Sequence, residues 1–246
     1  HRKYALFILM IVYAFNFIDR QILNILQTPI KEELGISDFA LGLLTGTSFT
    51  LVYVFVGIFV ARIADATSRK TVVTASLAIW SGFTAMSGLA LNYWQLLTYR
   101  LGVAFGEAGG SPPAHAMLSD LYEEEKRGRA LAIYSAGVYI GTMTGYVAGG
   151  WLSEEFHWRT AFFVVGLPGV ALAVLMWFTV REPVRGLSGL KKQTGNIKFV
   201  DSFKKLWSLK SFRNYSIATG AGTFVTYGVG NWMVPYLERS HDWDRT

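Results

Sequence analysis

Runs of about twenty apolar residues, hardly interrupted by charge, recur along this chain of 246 residues and constrain it more than any other feature. At ~1.5 Å per helical residue, such a run spans a hydrocarbon core of ~30 Å. Inside that core every backbone N–H and C=O needs a partner within the protein, so a spanning segment is either a helix or a strand of a closed barrel. A barrel strand would alternate lipid-facing and lumen-facing residues over about ten positions. Residues 170–178, VALAVLMWF, do not alternate. The expectation is an all-α integral membrane protein with seven spans, at 4–30, 39–63, 72–91, 94–121, 130–152, 161–180 and 215–237.

Composition agrees. Apolar residues make up 52% and charged residues 16% of the chain, against roughly a quarter charged in a soluble domain. There is no cysteine, hence no disulfide framework and no thiolate metal site. The first span has a basic flank, His1-Arg2-Lys3, but it is too long for a signal-peptide core and carries internal charge, so it reads as a retained helix. Of the 23 Lys and Arg, seventeen fall on one side if the amino terminus is cytoplasmic, among them Arg62, Arg69, Lys70, Lys126, Arg127 and Arg129; only Lys31, Arg159, Arg239 and Arg245 fall on the other. That bias predicts a multi-pass protein of the cell membrane with a cytoplasmic amino terminus. The net charge of +6 then belongs to loops facing anionic lipid, and no nucleic-acid partner is implied.

Three segments follow: a six-span bundle over 1–182, a basic linker over 183–213, and a seventh span within 214–246. In the linker, Phe199, Val200, Phe203, Leu206 and Trp207 recur at helical spacing while Lys204 and Lys205 fall elsewhere. This is the pattern of a helix lying on the membrane surface, with a solvated tether as the alternative. In the fifth span Gly137, Gly141, Gly145 and Gly149 recur every fourth residue, as do Gly102, Gly106 and Gly110 in the fourth. Such ridges let helices approach closely where lipid offers no hydrophobic drive for association.

The first span contains Asp19 and Arg20, and the fourth contains Arg100 and Glu107. Each costs at least ~2.5–3.5 kcal/mol at a helix centre, so the cluster needs a reason. At ~100° per residue, Tyr13, Asn16, Arg20, Asn24 and Gln27 form one polar stripe with Asp19 beside it. Arg100 and Glu107 share a face but stand ~10 Å apart along the axis, so their partners are expected on other helices. Two readings stay open. Either the stripe lines a cavity, where Arg20 and Arg100, with Tyr13, Asn16 and Asn24, take an anionic group and Asp19 and Glu107 exchange protons, or two internal salt bridges fix the packing. His115, after Pro112-Pro113, reads as a gate or packing residue.

The loop after the second span, Ala61-Arg62-Ile63-Ala64-Asp65-Ala66-Thr67-Ser68-Arg69-Lys70, resembles the signature loop of the major facilitator superfamily. Asp65, Arg69 and Lys70 fit it, while Ala61, Ala66 and Ser68 replace two glycines and a basic residue of the pattern. Asn16-Phe17-Ile18-Asp19-Arg20, Gly106-Glu107-Ala108, Trp158-Arg159 through Phe162, Arg181-Glu182-Pro183 and Trp232 through Tyr236 extend the likeness to Spinster-like transporters. The resemblance implies a six-helix amino-terminal bundle followed by the first helix of a carboxyl-terminal bundle, and a substrate held between two such bundles. It also implies proton coupling through Asp19 and Glu107, substrate handling by Arg20, and a cytoplasmic gate built on Asp65 with Arg69 and Arg129.

The expected activity is proton-driven transport of an amphipathic anion, a lyso-lipid or phosphorylated lipid-like molecule, by a chain that works as a monomer when complete and needs no cofactor or metal. An organic-anion or sugar-phosphate symporter is the alternative. A retinal-type receptor fits poorly, because the seventh span has no lysine and the amino terminus lies inside. An intramembrane enzyme fits worse still, since no embedded histidine pair or activated serine appears.

Overall fold

The structure, a computed structural model, describes residues 1–184 and 199–241. It divides into two units, 1–189 with 244–246, and 190–243. The described part of the first unit contains nine α-helices: α1 (Arg2–Ile25), α2 (Gln27–Leu34), α3 (Asp38–Gly42), α4 (Ser48–Ala66), α5 (Arg69–Ser87), α6 (Tyr93–Glu107), α7 (Ser111–Leu121), α8 (Glu124–Glu155) and α9 (Trp158–Thr179). One π-helical turn, Leu43–Thr47, joins α3 to α4. The second unit carries α10 (Phe199–Ser208) and α11 (Lys210–His241). No strand occurs among the described residues.

Two expected spans are each broken into two helices, and proline accounts for both breaks. The first span ends α1 at Ile25, turns at Leu26 and restarts as α2. Pro29 lacks the N–H that would bond the Ile25 carbonyl, and its ring crowds that same group. The fourth span stops at Glu107, turns through 108–110 and restarts at Ser111 with Pro112 and Pro113 in the first turn of α7, where missing donors cost nothing. The seventh helix starts at Lys210 rather than near residue 214, because hydropathy marks where lipid begins and not where hydrogen bonding begins. The linker call over 183–213 falls partly on residues 185–198, which lie outside the described residues, as do 242–246. Within it α10 forms, and Phe203 stacks on Trp207 one turn on, at 5.7 Å.

By length and composition alone, three described helices qualify to cross a membrane: Arg2–Ile25, Asp38–Ala66 and Trp158–Thr179, with mean hydropathies of 1.6, 2.0 and 2.3. The others carry more glycine, serine, threonine and charge.

In the bundle α1 packs along α8 and α9, and α5 along α6 and α9. The glycines explain the closeness. A Cβ at Gly137 would lie 2.5 Å from the Met10 carbonyl oxygen, and one at Gly141 2.2 Å from that of Ala14. The α8 ridge is therefore the surface on which the α1 backbone rests. Gly106 of α6 meets the Trp80 backbone nitrogen in the same way, at 2.5 Å. Leu9, Leu77, Trp80, Met117, Tyr134 and Met176 fill the core between these contacts.

Polar clasps close both ends. At the basic end, which bears Arg69, Lys70 and Arg127, the Glu182 carboxylate beyond α9 accepts from the Arg69 N–H (2.9 Å), the Lys70 N–H (2.7 Å) and the Ser68 hydroxyl (2.8 Å). These are orphan amides of the α5 amino terminus, where the helix dipole also favours a negative charge. At the opposite end Glu33, just past the first span, accepts from the Trp158 indole and the Arg159 guanidinium and lies 3.0 Å from His157 Nε2. Arg159 also donates to the Ala90 carbonyl at 2.8 Å, tying the α5–α6 loop into the same clasp. Burial opposes ionisation of Glu33, but the hydrogen bonds from Arg159 and Trp158 and the charges of Arg159 and His157 outweigh it and hold its carboxyl below the usual 4.5.

Two outcomes follow for purified protein followed by thermal melting. Gly141→Ala lowers the melting temperature, because overpacking against backbone costs ~1–3 kcal/mol. Gly128→Ala, at a helical position with nothing within 4 Å of the new Cβ, leaves it equal or higher; equal losses at both positions would refute the ridge. The depressed pKa of Glu33 means that its stabilisation is present above pH 4.5 and disappears as the pH falls through its folded value. The melting-temperature gap between parent and Glu33→Gln should be full at neutral pH and close on acidification; a gap independent of pH would remove the clasp.

Candidate functional site

Asp19, Arg20, Arg100 and Glu107 of the first and fourth spans meet and pair crosswise. Arg20 of α1 reaches Glu107 of α6, with Nη2 at 2.7 Å and Nε at 2.9 Å from the same oxygen, Oε2. Arg100 of α6 reaches Asp19 of α1, with Nη1 3.3 Å from Oδ2 and 3.4 Å from Oδ1. Thr84 Oγ1 on α5 lies 2.9 Å from both Asp19 Oδ1 and the Trp80 carbonyl, so its one proton serves one of them at a time.

The two pairs differ in access. The Arg100 side chain is 3% exposed and that of Arg20 is 18%. Both carboxylates are buried. Glu107 Oε1 has no hydrogen-bond partner among the described residues, and neither does Arg100 Nε. An unpartnered carboxylate oxygen in a low-dielectric interior is costly, and a proton is the smallest group that relieves it. Glu107 is also the last residue of α6, at the helix break.

Aromatic rings surround the charges. The Arg20 guanidinium carbon stands 5.6, 5.4 and 5.3 Å from the ring centres of Phe17, Phe49 and Tyr53, and that of Arg100 stands 5.5 Å from Phe49. Phe49 thus contacts both cations, an attraction that strengthens as water is excluded. The rings continue toward the basic end: Tyr13 packs edge-on to Phe17 at 5.3 Å and stacks on Tyr134 at 4.4 Å, and His115 packs edge-on to Tyr134 at 5.0 Å. His115 is exposed and Tyr13 half-buried, so this wall has an open side.

Not every residue of the expected stripe joins this centre. Asn16 is buried beside it. Asn24 lies one turn beyond Arg20 and forms a local ladder, donating to Gln21 Oε1 at 3.1 Å and accepting from Gln27 at 3.5 Å. At the basic end Arg69 pairs with the buried Asp120 of α7 and donates to the Ala116 carbonyl at 3.2 Å. Arg69 sits in the first turn of α5, beyond the Ser68 cap that turns the chain away from the end of α4. Arg129 is exposed on α8.

Asp120, Thr84, Phe49 and Tyr53 are the residues that sequence reasoning missed. Asp120 had a signal, being an acid within the expected fourth span. The aromatic residues had none, since rings are scattered through every span. Among the described residues no group of three His, Cys, Asp or Glu is placed to hold a metal ion.

Comparison with known proteins bears on this geometry. Residues 9–246 match the family profile described as the Major Facilitator Superfamily. An "MFS-type efflux pump" of Mycolicibacterium smegmatis is 36% identical over 176 residues, 72% of this chain and 41% of that protein. A "Probable galactarate/D-glucarate transporter" of Bacillus subtilis is 28% identical over 96% of this chain and 57% of its own length. The chain therefore spans about half the length of these relatives. Among solved structures, a bacterial homolog of the human lysosomal transporter Spinster, in an inward-facing and unoccupied conformation, superposes with a TM-score of 0.87. It is 34% identical, over 99% of this chain and 57% of that one. The broken first and fourth spans, the crossed ion pairs between them and the match along nearly the whole chain lead to one conclusion: this chain belongs to the major facilitator superfamily and is Spinster-like in sequence and fold.

Proposed function

We propose that this chain forms one half of a proton-coupled secondary transporter that moves an amphipathic anion across the cell membrane by alternating access. The observation that carries the reading is the Arg20–Glu107 pair: a part-exposed guanidinium held by one oxygen of a buried carboxylate whose other oxygen is unpartnered among the described residues. Protonation of Glu107 weakens its hold on Arg20. The freed guanidinium, a planar fork that stays charged, then takes a phosphate or carboxylate. Substrate and proton thus arrive together, because each removes the other's competitor.

Asp19, expected from sequence as a coupling carboxylate together with Glu107, has Arg100 and Thr84 as partners. We assign the first proton to Glu107 and to Asp19 the holding of Arg100 until the bundle rearranges. The wall formed by Tyr13, Phe17 and Tyr134 accepts the apolar body of the substrate, with Asn16 beside it, while Asn24 supports the first helix. In this reading the amino terminus and the basic end face the cytoplasm, as the charge bias requires. The proton gradient supplies the driving force without a cofactor, and the complete protein works as a monomer, its surroundings being membrane lipid. An organic-anion or sugar-acid symporter is the second reading, favoured by the Bacillus subtilis relative.

The decisive assay uses the full-length protein in liposomes with an imposed pH gradient, offering a lysophospholipid and galactarate in parallel. Glu107→Gln and Asp19→Asn each abolish gradient-driven accumulation, and Glu107→Gln retains exchange without a gradient. Arg20→Ala weakens substrate binding by about 10- to 100-fold, the value of a charge-assisted hydrogen bond. Undiminished accumulation in both carboxylate variants would remove proton coupling, and accumulation of galactarate alone would replace the lipid reading with the second one.

The gate is proposed at the basic end, on Asp65, Arg69 and Arg129, with Asp120 added as the carboxylate that Arg69 holds. Asp120→Asn and Asp65→Ala each bias the full-length protein toward opening at that end. Single cysteines on the α4–α5 loop should label faster in both variants, and labelling rates equal to the parent's would count against the gate.

A further inference from the structure

Away from the charged centre, α5 and α9 leave between them a groove of about 220 Å³, lined by Thr74, Ala75, Ala78, Val170, Val174 and Trp177. Its walls are almost wholly apolar, and small residues on α5 keep it open. One polar feature interrupts this. At its mouth, at the basic end, the Lys70 ammonium sits 5.3 Å from the ring centre of Trp177 and donates to the Trp177 carbonyl at 2.6 Å. One turn deeper is Thr74, a residue only 6% exposed, whose enclosed hydroxyl oxygen has no hydrogen-bond partner among the described residues and adds no polar surface to the groove.

We infer that this groove is a binding site for one anionic glycerophospholipid of the leaflet at the basic end, with its phosphate on Lys70 and an acyl chain laid between α5 and α9. The vertical order matches the ligand. A glycerophospholipid presents its charge first and hydrocarbon beyond. Here an ammonium beside Trp177 is followed by alanine and valine. An ammonium has three donors, and the Trp177 carbonyl takes one. Trp177 itself lies at the level where tryptophan anchors helices at the membrane interface. Basic sites between spanning helices attract anionic head groups in the same manner.

Charge complementarity selects this occupant over a second copy of the chain, which would bring another apolar face and nothing for Lys70. The site is independent of the transport reading. Only the naming of the leaflet as cytoplasmic rests on the orientation proposed above, and the experiment does not need it.

The test is native mass spectrometry of the full-length protein, delipidated in detergent and titrated with dioleoyl phosphatidylglycerol or dioleoyl phosphatidylcholine. Lys70→Gln removes the charge while keeping the backbone N–H that Glu182 accepts, Lys70→Arg keeps the charge, and Ala78→Trp fills the groove. In the parent and in Lys70→Arg, one phosphatidylglycerol binds about fivefold more tightly than phosphatidylcholine, the worth of one cation near a membrane surface. Lys70→Gln brings the two lipids to parity, and Ala78→Trp loses the tight site for both. Equal binding of the two lipids by the parent would overturn the proposal. So would a phosphatidylglycerol preference surviving both Lys70→Gln and Ala78→Trp, or a parent dimer that Ala78→Trp converts to monomer with lipid binding unchanged.

Discussion

Four charges placed in hydrocarbon have to find one another before anything else in the bundle can be arranged. A lone guanidinium or carboxylate at that depth is too costly to keep, and removing one member of a buried pair costs ~3–5 kcal/mol. Arg20 with Glu107 and Arg100 with Asp19 meet this demand only if α1 and α6 stand within ion-pair distance. That requirement reaches outward. α1 is pressed on its other side against the glycine ridge of α8, and α6 against Trp80 of α5 through Gly106. The break after Glu107 is made of small residues for the same reason: a Cβ at Gly109 would stand 2.1 Å from the Ser76 hydroxyl. Bulkier side chains there would push α6 away from α5, where Thr84 supports Asp19.

The clasps at the two ends are built differently from the centre and from each other. Glu182 binds backbone amides and a capping serine, which no change of side-chain protonation elsewhere releases. It fastens the end of α9 to the start of α5. Glu33 is part-exposed and joins the far end of the first span to α9 and the α5–α6 loop, where water screens each contact and exposed pairs contribute little individually. Arg69 with Asp120 is intermediate, with one partner buried and the other half-buried.

Much of this was legible in the sequence, and the parts that were not share a cause. Hydropathy marked the long helices, three of which are long and apolar enough by themselves to cross a membrane. The fourfold glycine spacing announced that a second backbone would lie on α8, though not that it would be α1. Pro29 and Pro112-Pro113 were in plain view, yet the expected spans ran through them, because a hydropathy window averages over a break that hydrogen bonding cannot ignore. The charges were recognised as one centre, and their partners were expected on other helices. Helical periodicity assigns a residue to a face but not to a neighbour, so the crossed pairing of Arg20 with Glu107 and Arg100 with Asp19 had to come from three dimensions. The Arg69–Asp120 pair was hidden for the same reason: its members are 51 residues apart, and only the packing of α7 against α5 joins them.

The inequality of the two central pairs gives the proposed cycle a direction. Both carboxylates are buried, but one guanidinium is reachable and the other is not. In that cycle a ligand entering along the wall of Tyr13, Phe17 and Tyr134 meets Arg20 before Arg100, because Arg100 is almost wholly enclosed. The proposed exchange of counter-ion therefore begins at Arg20, and Glu107, left with no cation on Oε2 and no partner on Oε1 among the described residues, is the carboxylate to which we assign the proton. Asp19 faces no such loss while Arg100 stays in place. The inner pair keeps α1 and α6 together during the step in which the outer pair is undone. A centre with two equally exposed pairs would have no such order and would lose its packing with its first ligand.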